Sequence, residues 1–99
     1  MARFDIFENK GGDGYLLDVQ TDLLSGLNTR VVGPLLPKSS APSPAQKLNP
    51  VFNVKGQEVV MATQYMAAVP ESELRFMAGS LAEQQDEISA ALDMLFLGF

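Results

Sequence analysis

The chain contains no cysteine and no histidine. The first absence excludes a disulfide framework and any thiolate metal site. The second removes the commonest general acid–base group and the commonest transition-metal ligand. Together they exclude serine–histidine and cysteine–histidine nucleophile pairs, so no catalytic set, metal or cofactor is expected. Positive charge is also scarce: seven Lys/Arg against twelve Asp/Glu leave a net charge of −5, and the cations stand singly along the chain. A phosphate backbone is bound by clustered positive charge, so direct contact with nucleic acid is not expected. No apolar run approaches the roughly 20 residues that span a bilayer. The start, Met1-Ala2-Arg3-Phe4-Asp5, carries an early acid and lacks a basic-then-apolar leader, from which a cytoplasmic protein without membrane contact is expected.

What is present is the material of one folded domain. Apolar residues are 46% of the chain and charged residues 19%, the balance of a globular rather than a disordered protein. Ninety-nine residues leave room for one core, so a single domain over 1–99 is expected. With catalysis and nucleic acid set aside, recognition of another protein is the leading class of function.

Alternation predicts a strand over Arg3 to Phe7, with Phe4 and Ile6 on one side. The connection Lys10-Gly11-Gly12-Asp13-Gly14 reads as a hairpin turn; a phosphate loop would need a helix N-terminus after it, and none follows. Tyr15 to Val19 forms the second strand, Thr21 to Gly26 breaks it, and Arg30 to Leu36 forms the third. Pro37 to Pro50 holds four of the six prolines and three serines, the composition of a long, polar, mobile surface loop. Val51–Val54, the turn Lys55-Gly56 and Gln57–Thr63 predict a second hairpin. Met66 to Pro70 is a short strand or connector, and Glu71 to Ala78 a helical turn or a further strand. Strands are thus placed within about 3–70.

A helix over about 81–97 is the clearest element. Ser80 followed by Glu83 has the spacing of a capping box, Glu83, Asp86 and Glu87 lie near the positive end of the dipole, and Gly98 is a natural stop. At about 100° per residue, Leu81, Ile88, Leu92, Leu95 and Phe99 share a narrow sector with Phe96 at its border. Leu97 falls on the far side, near Glu83, Asp86 and Asp93, and Met94 also lies off the stripe. The chain therefore ends with more apolar residues than one buried face accounts for. Three accounts are open: ordinary exposed side chains, a terminal phenylalanine folded back into the core, or a contact surface for another chain built from Met94, Leu97 and Phe99. Several strands followed by one helix predict a mainly β protein with a C-terminal α-helix, a small antiparallel barrel with the helix packed against it.

Four segments, taken in order, resemble one family. Leu16-Leu17-Asp18-Val19-Gln20-Thr21-Asp22-Leu23-Leu24 is similar to the VDVQSDII-type signature of CcdB toxins. Thr29-Arg30-Val31-Val32-Gly33-Pro34-Leu35 resembles their third-strand pattern, Met66-Ala67-Ala68-Val69-Pro70 their Met-Ala-Ser-Val-Pro, and Ala91 to Phe99 their AINLMFWGI-type tail. The resemblance implies an SH3-like barrel that forms a homodimer. It implies a toxin that binds the A subunit of DNA gyrase and traps the cleaved-DNA complex. It further implies a CcdA-like antitoxin that neutralises the toxin and with it represses their operon, so that DNA is met only through the antitoxin. Carried over by position, the gyrase-binding residues are Leu23, Leu24, Asp93, Phe96, Leu97, Gly98 and Phe99, and Met94, Leu97 and Phe99 fall at the dimer interface. Leu97 stands where the family pattern has tryptophan, and Asp93 where it has asparagine.

Two other functions fit the resemblance or the fold. A diverged, non-toxic homologue would bind antitoxin and act only in autoregulation. A MazF-like endoribonuclease on the same barrel would need a basic RNA groove and a positioned acid–base set, for which three scattered arginines, Arg3, Arg30 and Arg75, supply little; such arginines are more often surface ion-pair partners.

Overall fold

In the computed structural model, which describes residues 2–99, Phe4 adopts a left-handed backbone conformation with φ 76°. Its N–H donates to the Asp18 carbonyl (2.7 Å), and its carbonyl accepts from the Leu81 N–H (2.8 Å). This bend delays the first paired strand, β1, to Asp5–Glu8. The next strand, β2, covers Tyr15–Asp18 and pairs antiparallel with β1, Ile6 opposite Leu17. Between them, Gly14 has φ 84° and packs so closely that an added Cβ would lie 2.0 Å from the Leu35 carbonyl oxygen. The glycine-rich connection is therefore a turn pressed against the sheet.

A nine-residue strand, β3 (Thr29–Pro37), organises the sheet. One edge pairs with β2, Tyr15 opposite Leu35. The other edge serves two strands in succession: Leu35–Pro37 pair with β5 (Gln57–Met61), and Thr29–Val32 with β6 (Ala67–Pro70). The strand preceding β5, β4 (Val51–Val54), forms a tight hairpin with it through Lys55-Gly56, both with positive φ. A last strand, β7 (Met77–Ser80), adds to the free edge of β1 with a register shift. The result, among the described residues, is a curled antiparallel sheet in the order β4-β5-β3-β2-β1-β7 with β6 attached to β3. It is a half-barrel compatible with the expected SH3-like barrel. The expected limit of strands near residue 70 is corrected by β7: a single 3-10 turn at Glu71–Glu73 leads into a true strand, so the ambiguous segment is both turn and strand.

The main core lies inside the curl. Phe4, Ile6, Leu17, Val19, Leu35, Phe52, Val54, Val59 and Met61 pack there with Leu81, Ile88 and Ala91. A smaller cluster, Phe7, Val32 and Leu74, covers part of the other face, which explains why β1 and β3 alternate imperfectly. The Pro37–Pro50 loop crosses the surface as expected, but its second half is tied down. The buried Asn49 side chain accepts from the Ala45 N–H (3.0 Å) and donates to the Met61 carbonyl (3.0 Å) and Gln64 Oε1 (2.8 Å).

The helix α1 spans Gln85–Leu97, four residues later than the spacing suggests. The chain leaves β7 through a 3-10 turn at Ala82–Gln84, and Gln84 caps α1 without a side-chain bond. The Ser80 hydroxyl does accept a backbone bond, from the Ala82 N–H (3.1 Å), but as a local turn rather than a capping box. Asp86 and Glu87 still sit in the first helical turn, where the dipole favours them.

Candidate functional site

The buried stripe of α1 is shorter than its sequence period. Ile88 and Ala91 are fully buried and Leu92 half-buried, while Leu81 is buried one turn before the helix begins. Leu95, assigned to the stripe, is 36% exposed. Phe99 does not continue it either, because Gly98 takes a left-handed conformation (φ 82°) and turns the chain off the helical spiral. The Gly98 N–H donates to both the Asp93 and Met94 carbonyls (3.1 Å each), which closes the last turn. The helix packs on the 3-10 turn Thr63–Tyr65 and, through Ile88 and Ala91, on the main core, while its last turn holds no buried residue. Leu95, Phe96, Leu97 and Phe99 are consequently all exposed, Leu97 at 60% and Phe99 at 77%. Asp93 is exposed beside them and Met94 is half-buried, more than its wheel position suggests.

A second exposed apolar group sits at the other end of the signature segment. Asp22–Leu24 form a 3-10 turn whose Leu23 is 92% exposed; Leu24 and Leu27 are also exposed. Thr21 caps this turn, its hydroxyl accepting from the Leu23 N–H (3.3 Å). Beneath it lies a buried polar network. Arg30, 1% exposed, donates from Nε to Asp18 Oδ2 (3.0 Å) and from Nη2 to the same oxygen; its Nη2 also lies 3.8 Å from Asp22 Oδ1. Asp18 Oδ1 accepts from the Gln20 N–H (3.0 Å). Burial pushes the Asp18 carboxyl above the usual carboxylate range, against the lowering effect of its bonds to Arg30 and Gln20 and of the guanidinium charge. The expectation that Arg30 is a surface ion-pair partner is therefore corrected: its charge is buried because a carboxylate twelve residues earlier is folded directly against it.

A scan against protein families matches the family described as CcdB protein over residues 3–98. The chain belongs to the CcdB family. No curated protein matches it. Membership supports, in general terms, a toxin of a toxin–antitoxin pair directed at DNA gyrase. In this CcdB family member, the expected gyrase-binding positions Leu23, Leu24, Asp93, Phe96, Leu97, Gly98 and Phe99 are all exposed. They fall in two segments of the chain, the 3-10 turn Asp22–Leu24 and the end of α1 with the residues after it. Sequence reasoning missed Leu95 and Leu27 as members of these exposed groups. It also missed Asp18, Gln20 and Arg30 as the support beneath one of them. Part of the signal was present: Asp18 at the end of β2 and Gln20 two residues on share a side of an extended segment, and Arg30 lies in the strand paired with it.

Proposed function

We propose that this protein is the toxin of a type II toxin–antitoxin pair, a homodimer that docks on the A subunit of DNA gyrase and traps the enzyme on cleaved DNA. A CcdA-like antitoxin neutralises it, and the two together repress their operon, with the antitoxin supplying the DNA contact. The observation that carries this reading is the C-terminal tail. The last turn of the helix and the residue after its left-handed glycine expose four large apolar side chains, Phe96, Leu97 and Phe99 by more than half and Leu95 in part. Surface of that kind is built for a partner. The reading requires no catalysis, metal or cofactor, and it places the protein in the cytoplasm with its target. No helix among the described residues is long and apolar enough to cross a membrane. An endoribonuclease is disfavoured by the fate of the arginines: Arg30 is locked to Asp18, Arg3 Nε donates to the Val19 carbonyl (3.0 Å), and Arg75 Nε donates to the Ser72 carbonyl (3.2 Å).

One observation favours the second reading, a non-toxic member that binds only antitoxin: the chain has no tryptophan. An indole face against an arginine contributes about 0.5–2 kcal/mol that Leu97 cannot supply. Phe99, exposed beside it, offers the replacement aromatic surface. Induction in the native host, with and without a gyrase A-subunit mutation, separates the readings. Toxicity relieved by the mutation is expected. Toxicity that persists in the mutant sinks the gyrase assignment, and absence of toxicity selects the antitoxin-only module.

A further inference from the structure

Every residue from Thr21 to Thr29 is exposed. A nine-residue excursion with no buried side chain lacks the packing that ordinarily holds a loop in one conformation. Bonds from the rest of the fold take that role: the Arg3 N–H donates to Asp22 Oδ1 (2.9 Å), the Glu71 N–H to the Asn28 carbonyl (2.9 Å), and two more come from the side chain of Gln20, which is itself buried. Its Nε2 donates to the Leu24 carbonyl and to the Thr29 carbonyl (3.3 Å each), and its Oε1 accepts from the Val31 N–H (3.1 Å). One side chain thereby ties the apolar turn to the loop's exit into β3. Gln20 is fixed in turn by Asp18, whose other oxygen is held by Arg30. Only an amide can donate to two carbonyls and accept from an N–H at once; glutamate lacks the donors, and methionine has no donor and only a weakly accepting sulfur.

We infer that Gln20 is a positioning residue: by bridging Leu24, Thr29 and Val31 it holds Leu23 and Leu24 as a preformed apolar knob for docking on gyrase. The inference rests on the reading that these leucines meet the gyrase A subunit. A preformed knob is not ordered at the moment of binding, so the cost of that ordering does not weaken the complex. Loss of Gln20 weakens docking although it removes no contacting side chain.

The test combines amide hydrogen exchange with binding to purified gyrase A subunit, for the wild type, Gln20→Met, Gln20→Glu and Val54→Ala. Val54 lies in the main core and serves as a destabilised control with an intact brace. In Gln20→Met, exchange of the Leu24 and Val31 amides should rise roughly tenfold and affinity fall by a similar factor. Gln20→Glu, which keeps only the acceptor to Val31, should protect that amide yet still weaken binding. Val54→Ala should do neither beyond the change explained by its global stability. Unchanged exchange across 21–31 in Gln20→Met overturns the brace; raised exchange with undiminished affinity overturns its role in docking. Failure of the wild type to bind gyrase would instead remove the functional reading, and the exchange comparison would still decide the brace. If Gln20→Met does not fold, Gln20→Asn, whose amide is one methylene shorter and so withdrawn from the Leu24 and Thr29 carbonyls, is judged by the same two measurements.

Discussion

Arg30 is the bulkiest of the fully buried side chains in the molecule, and it owes its place to Asp18. Breaking a buried pair leaves one uncompensated charge and costs about 3–5 kcal/mol. Arg30→Leu should therefore destabilise the domain by about that amount at pH 7, measured by urea unfolding. The Asp18 carboxyl is already raised by burial, and without Arg30 it rises further. A folded-state pKa above the unfolded value means that the folded chain binds the proton more tightly, so stability grows as pH falls through the folded value. Part of the loss in Arg30→Leu should return on acidification below pH 7, and Asp18→Asn in the same chain should restore it at neutral pH. The tail behaves differently. Leu97 is well exposed, so Leu97→Asp should change stability by less than about 0.5 kcal/mol while abolishing target binding. Ile88 is fully buried, and Ile88→Asp should unfold the domain, as thermal melts would show. Leu92, only half-buried, should lie between them.

The helix was legible in outline because its acids, apolar spacing and terminal glycine all agree. Its start was misplaced because Ser80 is recruited into β7, a strand that exists only by pairing with β1; nothing local marks Met77–Ser80 as extended. Its stripe was overextended because periodicity reports which residues share a face, not how far the neighbouring surface reaches. The end of the helix offers a direct check. Gly98 sits at φ 82°, a conformation that costs most L-residues about 1–2 kcal/mol. Gly98→Val should fray the last turn and lower the affinity for gyrase, while Gly98→Asn, which tolerates that conformation, should retain most of both; circular dichroism and binding titration measure the two effects. Gly14→Ala is expected to be worse for stability than an average substitution, well beyond about 1 kcal/mol, because its Cβ has no room against the Leu35 backbone.

For the molecule as a whole, the exposed tail and the proposed homodimer make a joint prediction. If Met94, Leu97 and Phe99 contribute to a dimer seam, the melting temperature should rise with protein concentration, and Phe99→Asp should reduce both that rise and the sedimenting mass. A mass that stays monomeric at high concentration would leave the tail to gyrase and antitoxin alone. Residue types alone excluded histidine- and cysteine-dependent catalysis, disfavoured a nucleic-acid surface and marked the family, since absent side chains and ordered short motifs need no coordinates to be read. The turns at Gly14, Lys55-Gly56 and Gly98 were legible for the same reason: their backbone demands are local. Folding decided the rest. It set Arg30 against Asp18, gave Gln20 three partners separated along the chain, bent Phe4 so that β1 starts late, and left Leu95 partly exposed although it shares a helical sector with the fully buried Ile88. Each of these depends on what the sheet brings alongside a residue and where that support ends, and such contacts lie between residues distant in the chain.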